Sequence, residues 1–256
     1  MRRRDLPEIE DQMWCPEWLR NAMTNYLQKV IEVTVPYKAA APTLSALLVA
    51  TRASDVLDLA SGAGGPWPGL ATSLRASGVT PNITLTDLKP NRGAVVRFGS
   101  EPGFAYLPVS MSALDIGADL PGTRTMFSAL HHFDRTEVRT ILVAAQRRRV
   151  GFVACEATHR SWTGLLTTVL IPLLVLLVMP LVKPRRPIVL LLTYFPPIIP
   201  LLIWWDGVAS TLRTHSASEL RAITDEIAAD GYVWRVDELT VSGSPLPMTQ
   251  VVGTPA

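Results

Sequence analysis

A glycine-rich loop follows the first apolar segment that could form a buried strand, in the stretch V-L-D-L-A-S-G-A-G-G of residues 56–65. Asp58 belongs to the apolar segment, and Ser61, Gly62, Gly64 and Gly65 give a loop with few side chains. Glycines allow positive φ and close approach of a ligand to the backbone, and helix N-termini offer unpaired N–H groups. Because residues 70–76 have a helical pattern, we predict a strand, a ligand-binding turn and a helix, the first unit of a doubly wound α/β sheet.

The spacing of this loop excludes two common phosphate-binding motifs. A dinucleotide fingerprint needs G-x-G-x-x-G, but Pro66, Trp67 and Pro68 follow the G-x-G-G of this chain. A P-loop needs Gly-Lys and then Ser or Thr, which the loop lacks. The pattern D-x-x-S-G-x-G-G instead resembles the loop of class I S-adenosylmethionine-dependent methyltransferases. The resemblance implies that the five loop residues named above hold the methionine half of that cofactor; the alternative is an α/β turn without a ligand.

A second apolar segment, residues 82–87, ends in Asp87 and is followed by Leu88. A carboxylate can accept hydrogen bonds from both adjacent hydroxyls of a ribose. In the family that the chain resembles, the acid at this position holds the cofactor ribose, so Asp87 and its neighbour Leu88 are expected cofactor contacts. The alternative role for Asp87 is to cap a helix that begins near Pro90.

The third strand is expected at residues 104–109. The family often has an acid just beyond this strand that contacts the adenine amine. Here the sequence is V-S-M-S-A-L-D, so the acid is displaced or missing. The resemblance therefore leaves Ser112 and Asp115 as candidates for the adenine end of the cofactor.

The segment S-A-L-H-H-F, residues 128–133, follows a fourth expected strand and resembles the fourth motif of small-molecule methyltransferases. Its position places Ser128 at the cofactor edge of the sheet. His131 or His132 could take a proton from an acceptor, since imidazole titrates near neutral pH. The alternative is that one histidine bonds to backbone while the other lies on the surface.

A fifth buried strand, residues 150–156, ends in Glu156 on the same edge of the sheet. Glu156 could orient the acceptor or neutralise a cationic one. The structural alternative is an ion pair between Glu156 and Arg160.

Residues 8–35 have an amphipathic helical pattern in which Trp14 and Trp18 recur at helical spacing. Methyltransferases often carry such a helical cover over the substrate entrance, so both tryptophans are candidate substrate contacts. A helix that packs only into the core is the alternative.

Two charge-free runs, residues 165–182 and 188–205, flank the basic stretch K-P-R-R-P. Each is about 18 residues long, near the lower limit for a membrane-spanning helix. Their prolines break regular helix, and a basic turn on the outer face would oppose the positive-inside tendency. Trp162, Trp204 and Trp205 are typical interfacial anchors. We therefore expect a monotopic or re-entrant hairpin on the cytoplasmic side of the membrane; a soluble lid or a dimer face is the alternative.

This insertion follows the fifth strand and would cover the acceptor pocket. Tyr194 within it is a candidate substrate contact, and an apolar cover favours an apolar acceptor. Asp206, directly after the insertion, is expected to cap a helix and to pair with Arg213.

The C-terminal part contains a capping box at residues 216–219 and two expected strands at 232–241 and 248–253. The complete pattern predicts a Rossmann-like, seven-stranded methyltransferase sheet with an antiparallel end hairpin. We divide the chain into an N-terminal helical cover (1–40), a core (41–160 and 207–256) and the hydrophobic hairpin insertion (161–206). The combination of segments resembles a bacterial subgroup of class I methyltransferases.

Composition adds limits to this interpretation. The net charge of +2 gives no argument for nucleic acid as a partner. Cys15 and Cys155 suggest neither a disulfide framework nor a metal site, and the basic N-terminus lacks the apolar core of a signal peptide. The mean hydropathy of +0.24 is high for a soluble enzyme and comes from the insertion.

We therefore expect methyl transfer from S-adenosylmethionine to an O, N or C nucleophile of a small, apolar acceptor at a membrane surface. Membrane lipid is the expected second partner. A nicotinamide-dependent reductase is the first alternative, although the chain lacks a Tyr-x-x-x-Lys dyad near its fourth and fifth strands. A membrane adaptor that binds the cofactor without catalysis is the second.

Overall fold

The computed structural model describes residues 1–116 and 120–256. Its central sheet has seven strands: β1 (Asp55–Asp58), β2 (Asn82–Leu85), β3 (Phe104–Tyr106), β4 (Thr123–Phe127), β5 (Phe152–Glu156), β6 (Tyr232–Leu239) and β7 (Met248–Pro255). The spatial order is β3-β2-β1-β4-β5-β7-β6. Strands β1 to β5 are parallel, and β7 lies antiparallel between β5 and β6. The predicted sheet with its antiparallel end hairpin is confirmed.

The helices are α1 (Glu17–Thr34), α2 (Ala41–Thr51), α3 (Trp67–Ala76), α4 (Arg92–Gly99), α5 (Arg135–Arg147), α6 (Trp162–Thr168), α7 (Ile171–Val178), α8 (Pro187–Tyr194), α9 (Ile198–Arg213) and α10 (Ala217–Glu226). Short 3₁₀ turns at Pro36–Ala40, Leu130–His132 and Met179–Leu181 join some of them. Capping boxes at Asp134/Glu137 and Ser216/Glu219 fix the starts of α5 and α10.

Successive side chains of the short buried strands point to opposite faces of the sheet and form one apolar core on each face. Val56 packs with α2, α3 and α4 on one face, whereas its neighbour Leu57 packs with α5 and α10 on the other. The inner strands β4 and β5 are buried along their whole length. This burial includes the polar Thr123, Arg124 and Thr125 of β4 as well as the apolar residues of β5, and it makes the carboxyl edge of the sheet a rigid support.

A third apolar cluster joins α1 to the insertion. Met23 and Tyr26 of α1 pack with Val175, Ile199 and other residues of α7 to α9. The two apolar runs form four helices rather than one helical hairpin, because prolines interrupt them: Pro172 lies in the first turn of α7, and Pro197 directly precedes α9.

Two expected boundaries need correction. The N-terminal helix begins at Glu17, and residues 1–16 form an extended and turn-containing segment, which we call the strap. Helix α9 runs without a break through the expected boundary between residues 206 and 207. Asp206 is therefore in mid-helix rather than at an N-cap, and Arg213 forms its ion pairs with Glu8 and Asp11 of the strap.

The insertion contains the stretch that best fits a membrane span by length and composition. Among the described residues, Trp162–Leu181 contains an 18-residue stretch with a mean hydropathy of 2.5, of which 22% is buried. Two bent helix pairs would raise the number of spans to three if each pair counted as one: Glu17–Thr34 with Pro36–Thr51 (64°) and Pro187–Tyr194 with Ile198–Arg213 (78°).

Candidate active site

The glycine loop lies at the carboxyl end of β1, between β2 and β4, where open α/β sheets form a ligand crevice. Hydrogen bonds hold it to β2: Ser61 N donates to the Thr86 carbonyl (2.9 Å), and Thr86 N donates to Ser61 Oγ (3.1 Å). The Tyr106 hydroxyl at the end of β3 donates to the Gly62 carbonyl (2.7 Å). Hydrogen bonds to the ends of β2 and β3 therefore fix the loop.

Asp87 is held by backbone donors on both sides. Gly62 N donates to its Oδ2 (2.7 Å) and Lys89 N donates to its Oδ1 (2.7 Å). The side chain of Asn91, not Asp87, caps α4 by accepting from Ala94 N (3.1 Å). The alternative role of Asp87 as a helix cap is therefore wrong, and its fixed carboxylate faces the crevice.

Asp58 is buried beneath the loop, where Thr125 Oγ1 donates to its Oδ1 (2.7 Å). Burial raises the pKa of this carboxyl from 3.8 to about 6, against the lowering effect of the Thr125 hydrogen bond. Gly64 packs against the ring of Phe98 in the core. These two residues thus support the loop from behind and are not among the residues that line the crevice.

The crevice has a volume of about 390 Å³. The glycine loop, the ends of β2 and β4, one side of α1, and Glu10 with Asp11 of the strap form its walls. Eight of the expected site residues line it, namely Ser61, Gly62, Gly65, Asp87, Leu88, Ser112, Ser128 and His132. Asp115 is exposed and lies outside this lining.

His131 and Glu156 form a buried pair behind the crevice. His131 Nδ1 lies 2.8 Å from Glu156 Oε2, and Leu130 N donates to Glu156 Oε1 (2.7 Å). Burial opposes ionisation of Glu156, but the neighbouring His131 outweighs it and lowers the pKa of this carboxyl. Arg160 instead pairs with Glu219 (2.6 Å), so the expected Glu156–Arg160 alternative is wrong.

His132 lies at the crevice with Asp11, whose Oδ2 is 3.0 Å from His132 Nδ1. Burial would lower the pKa of His132, but Glu8, Asp11 and Glu10 outweigh it and raise the value to about 10. An imidazolium has no lone pair with which to accept a proton. In this arrangement His132 is therefore a charged group that holds Asp11, rather than a free base.

The strap supplies acids that the sequence patterns did not single out. Glu8 is 1% exposed and lies 3.7 Å from His131 Nε2 and 3.6 Å from His132 Nδ1. Burial raises the pKa of Glu10 to about 8, and its Oε2 has no hydrogen-bond partner among the described residues. The acidic run E-I-E-D at residues 8–11 is visible in the sequence. About 120 residues separate it from the histidines, so the sequence alone does not indicate that the two segments are in contact.

The three expected substrate contacts lie away from this crevice. Trp14 is 67% exposed, and the Tyr194 hydroxyl donates to the Leu176 carbonyl (2.8 Å) at the surface of the insertion. Trp18 lines a second cavity of about 440 Å³ between α1 and the insertion. Helix α1 does cover the crevice, but through Arg20, Asn21, Thr24, Leu27, Gln28 and Ile31.

Comparisons with known proteins agree with this fold. No protein-family profile and no curated protein matches the sequence. Among solved structures, an O-methyltransferase from neocarzinostatin biosynthesis, in complex with S-adenosylmethionine and 2-hydroxy-5-methyl naphthoic acid, is similar with a TM-score of 0.55 and 17% identity. The match covers 93% of this chain and 58% of that one. Mitomycin 7-O-methyltransferase is similar with a TM-score of 0.50 and 14% identity, over 86% of this chain and 54% of that one.

The chain thus spans less than two thirds of the length of either neighbour. At these identities the likeness concerns the fold, and it confirms the fold of class I S-adenosylmethionine-dependent methyltransferases for this chain.

Proposed function

We propose that this chain transfers a methyl group from S-adenosylmethionine to a small, apolar acceptor at a membrane surface. The observation that carries the proposal is the crevice between the glycine loop and Asp87, at the carboxyl edge of a sheet with the methyltransferase strand order. The two neighbours named above are O-methyltransferases, which supports the same reaction class.

The crevice fits the proposed cofactor. A Cβ placed on Gly62 or Gly65 would have none of the described atoms within 4 Å, so open space lies in front of the loop backbone. The fixed Asp87 carboxylate has remaining lone pairs for two ribose hydroxyls, because each oxygen can accept more than one hydrogen bond. The bound cofactor would supply the methyl group on its sulfonium.

The residues of the chain would act mainly by positioning the cofactor and the acceptor. Apolar side chains form part of the crevice wall: Leu27 and Ile31 of α1 line it together with Phe127 and Phe133. These walls would exclude water and favour an apolar acceptor, since burial contributes about 25 cal/mol per Å². In-line placement of the two reacting atoms supplies a large part of the acceleration in reactions of this kind.

The proposed membrane contact rests on the outer face of the insertion. Trp162, Leu166 and Val169 are each more than 60% exposed, and Phe195 is 79% exposed. Monomeric soluble proteins seldom expose large contiguous apolar patches. The basic residues at 183–186 next to this face favour an anionic leaflet, so we place the contact on the cytoplasmic side, within one leaflet.

Calorimetric titration of S-adenosylhomocysteine into the purified protein tests the cofactor. Asp87→Asn should weaken binding at least tenfold, because a charged acceptor of two hydroxyls is lost. Asp115→Asn is the matched control and should bind like the wild type, since Asp115 lies outside the crevice. Absence of saturable binding to the wild-type protein would refute the proposal, and saturable binding of NADH instead would favour the reductase.

Flotation with vesicles of phosphatidylglycerol and phosphatidylcholine tests the membrane contact. The double variant Trp162→Ser/Leu166→Ser should float less than the wild type. Val96→Ser is the control, because Val96 is 75% exposed on α4, outside the insertion. Equal flotation of all three proteins, or none for the wild type, would count against the membrane setting while leaving the cofactor result untouched.

A further inference from the structure

The contacts of the strap bring three metal-ligating side chains together beside the crevice. Glu8 and His131 are buried, His132 is partly buried, and one possible ligand atom from each lies within 4.8 Å of the other two. We propose that Glu8, His131 and His132 bind a divalent transition metal ion, with zinc as the best match. Two imidazoles and one carboxylate form a donor set typical of catalytic zinc sites.

The distances are close to those of a bound site. His131 Nε2 lies 3.7 Å from Glu8 Oε1, and His132 Nδ1 lies 3.6 Å from Glu8 Oε2. Ligand atoms about 2.0–2.1 Å from a tetrahedral zinc ion are about 3.3–3.4 Å apart. The two distances from Glu8 to the histidines would need to contract by a few tenths of an ångström. His132 Nδ1 would also release the proton that it shares with Asp11 Oδ2 before it could bind the ion.

Glu156 gives His131 the orientation that a metal ligand needs. Its Oε2 lies 2.8 Å from His131 Nδ1, so a proton on Nδ1 satisfies both groups and leaves the Nε2 lone pair directed toward Glu8. Histidine ligands commonly have a carboxylate on their second ring nitrogen, which fixes the tautomer and raises the basicity of the ligating nitrogen.

The surroundings of the cluster have an excess of negative charge. Asp11 lies 3.0 Å from His132, and the buried Glu10 Oε2 nearby has no hydrogen-bond partner among the described residues. Arg213 contacts Glu8 (3.4 Å) and Asp11 (3.2 Å). The single guanidinium of Arg213 does not balance the carboxylates of Glu8, Asp11 and Glu156, so the cluster favours additional positive charge, which a proton on His132 or a metal ion can provide.

Two other nearby cations, Arg3 and Lys89, contact backbone carbonyls or an acid outside the cluster. Arg3 donates to the carbonyls of His131 (3.4 Å) and Phe133 (3.0 Å) and pairs with Asp5. Lys89 Nζ donates to the Asp11 carbonyl (2.6 Å). These contacts of Arg3 and Lys89 position the strap and do not involve the carboxylates of Glu8 and Glu10.

Zinc binding to the whole protein tests this inference directly. After treatment with a chelator, the protein is titrated with Zn²⁺ in competition with a chromophoric chelator, and Co²⁺ is added separately to record visible absorption bands. We expect one Zn²⁺ per chain, a Co²⁺ spectrum typical of four- or five-coordination, and a higher Tm with Zn²⁺.

Matched variants separate this site from adventitious binding. Glu8→Gln and His131→Ala should weaken Zn²⁺ binding at least a hundredfold, and Glu156→Gln should weaken it about tenfold to a hundredfold through the orientation of His131. His159→Ala is the control, because His159 also lies near a carboxylate (Glu238, 3.5 Å) but at the surface. Its affinity should equal that of the wild type.

Two results would overturn the inference. The first is absence of Zn²⁺ and Co²⁺ binding to the wild-type protein, which would mean that protons alone supply the charge in the cluster. The second is equal Zn²⁺ affinity in wild type and the folded Glu8→Gln variant, as judged by circular dichroism. Because binding is measured without cofactor or acceptor, it can fail or succeed independently of the proposed methyl transfer.

Discussion

Replacement of Gly64 by alanine tests whether the loop depends on a glycine for both conformation and space. Its φ of +110° is one that L side chains rarely adopt, and a Cβ there would lie 2.2 Å from Phe98 Cε2 and 2.4 Å from Cζ. The Phe98 ring is fully buried and packs against Phe104. The adjacent Gly65 has a φ of +51°, and a Cβ there would have none of the described atoms within 4 Å.

These geometries predict different costs for two neighbouring substitutions. Gly64→Ala should lower the free energy of unfolding by about 1–3 kcal/mol through backbone strain and by about 1–3 kcal/mol through overpacking. Gly65→Ala should lose about 1–2 kcal/mol, because only the left-handed conformation opposes a Cβ there. A total near 4 kcal/mol for Gly64→Ala is a large part of the stability of a typical domain.

Urea denaturation of the purified protein, followed by tryptophan fluorescence, measures both costs. The double variant Gly64→Ala/Phe98→Leu provides the decisive comparison, because leucine lacks the Cε2 and Cζ atoms that the new methyl would meet. In a double-mutant cycle with Phe98→Leu, it should recover about 1–3 kcal/mol of the Gly64→Ala loss. The reasoning fails if Gly64→Ala costs no more than Gly65→Ala, or if the cycle shows no coupling.

Two further substitutions test buried charges. Asp58→Asn should remove a pH dependence: the folded-state pKa of about 6 exceeds the ordinary 3.8, so the wild type should lose about 3 kcal/mol of stability as pH rises from about 4 to about 6. Urea denaturation at several pH values measures this pH dependence, and Asp55→Asn on the same strand is the control. A difference in stability between wild type and Asp58→Asn that does not change with pH would contradict the raised pKa of Asp58. Glu219→Gln leaves the Arg160 guanidinium, 4% exposed, without its charged partner, and should cost about 1–3 kcal/mol. Glu226→Gln, in the exposed pair with Arg135, should cost less than about 1 kcal/mol. Urea denaturation measures both losses of stability, and equal losses for Glu219→Gln and Glu226→Gln would rule out the effect of burial.

The sheet was predictable because each of its parts has a local signal. Buried parallel strands have short apolar runs, and the glycine loop marks the turn after the first of them. Asp87 follows β2, so the position of its carboxylate at the crevice follows from strand direction alone. The capping box at Ser216 and Glu219 likewise specifies a helix start within four residues.

The acidic side of the crevice was not predictable, because it depends on contacts between distant segments. Glu8 and Glu10 precede α1 in a stretch without regular structure, and their partners His131 and His132 follow β4. Sequence reasoning did not place Trp14 and Trp18 outside the crevice for the same reason. A helical pattern gives the faces of α1 but not which face turns toward the crevice.

The insertion shows a different limit of sequence reasoning. Its apolar composition indicates a buried or membrane-facing segment, and its prolines indicate broken helices, but Asp206 suggested a new helix start at the end of the insertion. Helix α9 continues through it because Asp206 accepts hydrogen bonds from Ile9 N (2.7 Å) and Glu10 N (3.2 Å) of the strap. A tertiary contact therefore explains an acid within the helix.

The contacts of Asp206 connect the insertion to the crevice. Helix α9 carries exposed apolar residues near its start, and its later turns hold the strap through Asp206 and through the hydrogen bond from Arg4 N to the Leu212 carbonyl (3.1 Å). Glu10 and Asp11 of that strap line the crevice. A displacement of α9 at a membrane would thus move acids beside the acceptor. Asp206→Ala removes two hydrogen bonds, so hydrogen exchange at the Ile9 and Glu10 amides should accelerate at least tenfold. Asp225→Ala, at an exposed position of α10, should leave both amides unchanged. Unchanged exchange in Asp206→Ala would mean that the strap is held without α9, and the proposed connection would not exist.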